Sequence, residues 1–105
     1  MAVETKRPTD PAAELRGAVE RIELAARAIR RLPPAERQAV VRDVLGLAIR
    51  TLIPHPAVDW RLVDSIARPL AETDPRKPER LHELLSQLQT VSAAALGRVH
   101  EHIAA

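Results

Sequence analysis

A chain without cysteine must draw any chemistry from imidazole, carboxylate, hydroxyl and guanidinium groups, and here each set stands at a spacing that can be assessed. The four histidines are His55, His82, His100 and His102. On one extended helix His82 and His100 point the same way but stand about 27 Å apart, while His100 and His102 project about 160° from each other. No H-E-x-x-H pair places two imidazoles on one helical turn, so no metal centre is expected. The lack of cysteine also removes disulfides, thiolate nucleophiles and iron–sulfur clusters. No cofactor is expected. Ser65, Ser86 and Ser92 fall within helical patterns, away from any strand-to-helix elbow. No glycine-rich loop accompanies them to cradle a phosphate or build an oxyanion hole. Glu20 and Glu23 lie among arginines on a charged helix face, the setting of a salt-bridged surface and not of acid–base chemistry. The expectation is a protein without enzymatic activity.

Guanidinium groups offer a different chemistry. Fourteen of the sixteen basic residues are Arg, yet the formal net charge is only +2. Arg16, Arg27 and Arg31 share one side of the first helical segment, and Arg37 and Arg42 follow in the second. Together they could contact the phosphates of DNA or RNA. Against this, Glu14, Glu20, Glu23, Glu36 and Asp43 are interleaved with them, a mixture that favours local pairing over a continuous phosphate track. A small nucleic-acid-binding regulator is therefore the alternative reading. The stretch 30–40 (RRLPPAERQAV) resembles the beginning of the DNA-binding region 4 of bacterial sigma factors. That family implies a turn and then a polar recognition helix, whereas this chain continues as Val44-Leu45-Gly46-Leu47-Ala48-Ile49, and the resemblance is not carried over. The Arg, Ala and Pro bias is of the kind that GC-rich bacterial coding produces.

The elements that must position these groups are helices. With three Gly and a single aromatic residue, Trp60, the chain lacks the β-branched and aromatic runs that a sandwich or barrel requires. It is rich instead in Ala, Leu, Arg and Glu. Its 105 residues make one domain. Proline lacks an N–H and is tolerated only in the first turn of a helix. Breaks at Asp10-Pro11, Pro33-Pro34, Pro54-His55-Pro56 and Asp74-Pro75 through Pro78 thus cut out four helical segments.

The first, about 11–32, has Thr9 or Asp10 as its cap. It carries a stripe of Leu15, Val19, Ile22, Ala26 and Ile29, and a weaker second stripe that includes Leu24 and Ala28. The second, about 34–53, is apolar around more than half its circumference, which predicts a central helix. In the third, about 57–73, Trp60 is expected to anchor the core, with an interface hot spot as the alternative, and Pro69 to kink or end the helix. The fourth, about 78–103, is the longest. The fold expected is all-α, a compact four-helix bundle-like domain over residues 10–105 with a long C-terminal helix. A disordered segment at 1–9 precedes it.

The fourth segment holds the least ordinary feature, the run 84–97 (LLSQLQTVSAAALG), without a charged side chain in fourteen positions. An exposed helix back normally carries Glu, Lys and Arg. Ser86, Gln87, Thr90, Ala94 and Gly97 stand there instead, small or uncharged polar residues that let another backbone approach. These residues on one surface, or Leu24 and Ala28 of the surplus stripe on another, are the expected partner interface. The function read from the sequence is accordingly a protein–protein interaction module: an adaptor, assembly subunit or small regulator. Its partner would be a second copy, as a homodimer or larger assembly, or another helical protein. No stretch reads as a signal peptide or a membrane span, so a cytoplasmic location and no membrane partner are expected.

Overall fold

The computed structural model describes residues 11–104, with side chains from 12 to 99. It contains four α-helices: α1 (Pro11–Ala28), α2 (Pro34–Leu47), α3 (Trp60–Glu72) and α4 (Pro78–Ala104). A 3-10 turn (Ile29–Arg31) extends α1, and a π turn (Ala48–Leu52) extends α2. Among the described residues there is no strand, and no helix is long and apolar enough to cross a membrane. The all-α four-helix arrangement and the long C-terminal helix are as expected. The proposed cap at Thr9 or Asp10 and the disordered segment at 1–9 lie outside the described residues.

Proline sets the boundaries for the reason anticipated. Pro34 and Pro78 are the first residues of α2 and α4, where a missing N–H costs no helical hydrogen bond. α3 begins differently: the Asp59 carboxylate accepts from the Arg61 N–H at 3.1 Å and caps the first turn. Pro69 neither stops α3 nor ends it early, since the helix runs on to Glu72. The chain then leaves α3 at Thr73, whose Oγ1 donates to the Pro69 carbonyl at 2.6 Å.

The helices form a ring in which α1 packs on α4, α4 on α3, α3 on α2 and α2 on α1. Its centre is aliphatic: Leu15 and Ile22 from α1 and Ile29 from its 3-10 extension meet Leu81, Leu84, Leu85 and Leu88 from α4, with Val44, Leu52, Val63 and Leu70 opposite. All of these have almost no exposed surface. Burying each such Leu or Ile contributes roughly 1.5–3 kcal/mol before the opposing chain entropy is counted. Ser92 is buried among them, and its hydroxyl donates to the helix carbonyls of Leu88 at 2.9 Å and Gln89 at 3.0 Å, so its polarity is satisfied without leaving α4.

Two sequence expectations need correction here. α2 is not central; it occupies one side of the ring like the other helices. Val41, Val44, Leu47, Ala48 and Leu52 face inward, Val40 lines a groove against α1, and Leu45, Ile49 and Ile53 line a groove of about 220 Å³ against α3. Trp60 is not a core anchor either, being 51% exposed. It is the first residue of α3, and side chains lean toward the N-terminal end of their helix. Its ring therefore projects off the end of the bundle, with the Arg61 guanidinium 5.5 Å from its centroid, and Val58 fills the buried position before the helix.

Candidate functional site

α4 has α1 on one flank and α3 on the other, which leaves a third face turned outward. Gln87, Thr90, Ala94 and Gly97 are all exposed along that face, and Ser86 is half-buried at its edge. The structure thus brings the α4 part of the expected interface into one continuous stripe. The N-terminal half of the stripe floors a trough of about 810 Å³, walled by Leu62 and Ser65 of α3 and closed at one end by Arg30 and Glu79. Leu62 is 46% exposed on that wall.

Charge is confined to the margins of the stripe. At its N-terminal end the Arg30 guanidinium meets Glu79 at 3.0 Å, and Arg80 meets Glu83 at 2.7 Å. At its C-terminal end Arg98 donates to the Ala57 carbonyl at 2.8 Å. Between them the polar groups are neutral. The Thr90 hydroxyl donates to the Ser86 carbonyl at 3.0 Å, leaving its oxygen lone pairs turned outward as acceptors.

His82 is the one titratable ring in the trough. Its Nδ1 lies 2.8 Å from the Ala26 carbonyl, which can only accept, so Nδ1 carries the proton and donates. Nε2 then faces the Ser86 hydroxyl at 3.5 Å. The ring is half-buried, and this bond makes it a tie from α4 to the end of α1. A hydroxyl, an imidazole and a carbonyl in line superficially suggest nucleophile, base and orienting group. The 3.5 Å separation is long for that role, and Ser86 lies in mid-helix, where the surrounding backbone N–H groups are bonded within α4 and cannot hold an oxyanion. Among the described residues no cluster of three or more His or carboxylate groups could hold a metal ion. The side chains of His100 and His102 lie outside those described.

Leu24 and Ala28, the α1 part of the expected interface, are held elsewhere. They line a groove of about 420 Å³ between α1 and α2, with Ala39 and Val40 opposite and the Arg21–Asp43 ion pair, at 3.1 Å, on its rim. Leu24 is 63% exposed there. This groove and the α4 trough share no lining residue and are two separate surfaces.

The arginines considered for nucleic-acid contact are likewise divided. Arg16, Arg31 and Arg42 are exposed, and Arg27 pairs with Glu23 at 2.7 Å. Arg37 is half-buried and departs from the sequence expectation. Its Nε donates to the Ile29 carbonyl at 2.9 Å, while its terminal nitrogens reach the carbonyls of Pro75 at 3.1 Å and Arg30 at 3.4 Å. A guanidinium spread over three backbone carbonyls is a brace between the α1–α2 corner and the α3–α4 loop and is not presented to a phosphate. Sequence spacing gave no sign of it, because Pro75 is thirty-eight residues away. Comparison with protein-family models, with curated proteins and with solved structures finds no match to this chain.

Proposed function

We propose that this chain is a non-enzymatic helical protein–protein interaction module, an assembly subunit, adaptor or small regulator that associates through the outward face of α4. The observation that carries this reading is the exposed stripe Gln87, Thr90, Ala94 and Gly97, uncharged throughout its length. Elsewhere the exposed helix backs are laced with ion pairs such as Arg27–Glu23, Arg68–Asp64 and Arg21–Asp43. A solvated helix back gains solubility and pairing energy from such charges. A face that forgoes them suits contact with another helix, because Ala94 and Gly97 allow close approach and Gln87 and Thr90 supply neutral hydrogen-bonding groups. A core with no buried aromatic side chain supports the same reading, since further burial in an assembly adds stability to a domain this small.

Analytical ultracentrifugation at micromolar concentration tests it. The native chain is expected to sediment as a dimer or larger species, and Ala94→Arg or Gly97→Arg to sediment as monomer with unchanged far-ultraviolet circular dichroism. A native chain that remains monomeric, or an Ala94→Arg variant that assembles as the native chain does, overturns the assignment of this face to self-association.

A further inference from the structure

The uncharged run 84–97 is bounded by charges of opposite sign, Glu83 before it and Arg98 after it. The two stand about 22 Å apart along the helix, and at about 100° per residue they project within about 60° of each other, on the arc that carries Gln87, Thr90 and Ala94. Both are exposed. Opposite charges at the two ends of one neutral face make that face complementary to itself in one direction only. Laid parallel, two copies would set Glu83 against Glu83 and Arg98 against Arg98. Laid antiparallel about the midpoint of the run, between Thr90 and Val91, they set Glu83 of each chain against Arg98 of the other and Gln87 against Ala94.

Resting on the self-association reading above, we infer that the partner of this face is a second copy of the chain, docked with its α4 antiparallel and a two-fold axis passing near Thr90. The arrangement is isologous and closes on itself, as two-fold interfaces do. The charged ends are free to take part. Glu83 uses one carboxylate oxygen for Arg80, and Arg98 uses one terminal nitrogen for the Ala57 carbonyl, so the second oxygen and the remaining N–H groups are left to meet across the axis. The trough supplies the room: the incoming helix lies over Thr90 and against Leu62, whose exposed surface it covers.

Two measurements test the direction and register. The chain has no cysteine, so single cysteines introduced as Gln87→Cys and Ala94→Cys are the only thiols present. On mild oxidation, a mixture of the two variants is expected to form disulfide-linked dimer at least about tenfold faster than either variant alone. Positions 87 and 94 face each other across the axis, whereas each position is offset from its own copy by about 10 Å. In sedimentation, Glu83→Arg and Arg98→Glu are each expected to weaken the dimer by about tenfold, two like-charge contacts of a few-fold each. The double exchange is expected to restore it. Faster linkage of either variant with itself, or a double exchange no tighter than the single ones, overturns the antiparallel arrangement while a native dimer leaves the broader reading standing. A native chain that is monomeric overturns both.

Discussion

The Arg37 guanidinium donates to the Ile29 carbonyl at 2.9 Å, eight residues back in the chain and across the corner between α1 and α2. Ile29 opens the 3-10 turn that finishes α1, where carbonyls have lost their helical partners. By reaching the Pro75 carbonyl as well, Arg37 also fastens the loop that precedes α4. Hydrogen bonds from a charged donor contribute about 1.5–3 kcal/mol when their partners are shielded from water. Arg37→Ala is therefore expected to lower unfolding stability by about 2 kcal/mol, and Arg37→Lys to recover only part of the loss, because an ammonium cannot span the same carbonyls. Urea denaturation followed by circular dichroism measures this. Trp60 is a poor reporter, since its ring is already half in water in the folded chain. Full stability in the Lys variant would show that charge alone, and not the fork, is what matters at this position.

At His55 the ring substitutes for a side chain that normally makes this turn. Its Nδ1 accepts from the Ala57 N–H at 3.0 Å, the bond that an Asn or Asp oxygen makes two residues ahead of itself. With Nδ1 accepting, the proton of the neutral ring sits on Nε2, and Nε2 is buried without a partner. An orphaned donor costs about 1–3 kcal/mol. His55→Asn keeps the Ala57 bond, so it is expected to be more stable than His55→Ala, which loses that bond, by about 1 kcal/mol. An Asn variant no more stable than the Ala variant would refute this account of the turn.

Asp74 organises the approach to α4. Its carboxylate accepts from the Arg76 side chain at 3.1 and 3.2 Å and from the Arg76 backbone N–H at 2.9 Å. The Arg76 side chain is the main reason its carboxyl is held below the usual value, followed by that backbone bond, with the Lys77 charge adding less. A folded value below the unfolded one means the contribution is fully present above the unfolded carboxylate value of about 3.9 and is lost as pH falls through the folded value. Carboxyl-carbon shifts in an acid titration should place the Asp74 midpoint below that of an unstructured Asp. In Arg76→Ala the midpoint should rise toward it. A midpoint unchanged by Arg76→Ala would remove the guanidinium as the cause.

Helix number, helix limits and the seam of α4 were legible in the sequence because each rests on a local rule. Proline is readily accepted in a first turn, as at Pro34 and Pro78, although Pro69 is carried inside α3, and Leu81, Leu84, Leu85 and Leu88 repeat at helical spacing. The uncharged face was legible for the same reason, since Gln87, Thr90, Ala94 and Gly97 share one side of any regular helix. What escaped was tertiary. The apolar arc of α2 is as wide as that of a central helix, and nothing local says that Ile49 will line a groove. Trp60 lies on the apolar side of α3 by angle, yet it is the first residue of that helix and extends past the end of the core. Arg37 reads as one more surface cation until the fold brings the Pro75 carbonyl to it.

Two of the apolar surfaces left open in the ring make opposite predictions for single substitutions. Leu62 stands on the wall of the α4 trough and Leu24 in the groove between α1 and α2. They are 46% and 63% exposed, so a charge at either position needs no burial in the isolated chain. Leu62→Glu falls in the first turn of α3, where a carboxylate is favoured by the helix dipole, and helix content should hold or rise. If a second copy covers α4, Leu62→Glu strands a carboxylate against an uncharged surface and should weaken association by at least about tenfold, equivalent to about 1.4 kcal/mol. Leu24→Glu should leave association unchanged, because a two-fold pairing through α4 does not reach the far groove. The reverse result, dissociation by Leu24→Glu alone, would move the interface to α1 and α2 and leave the face of α4 in water.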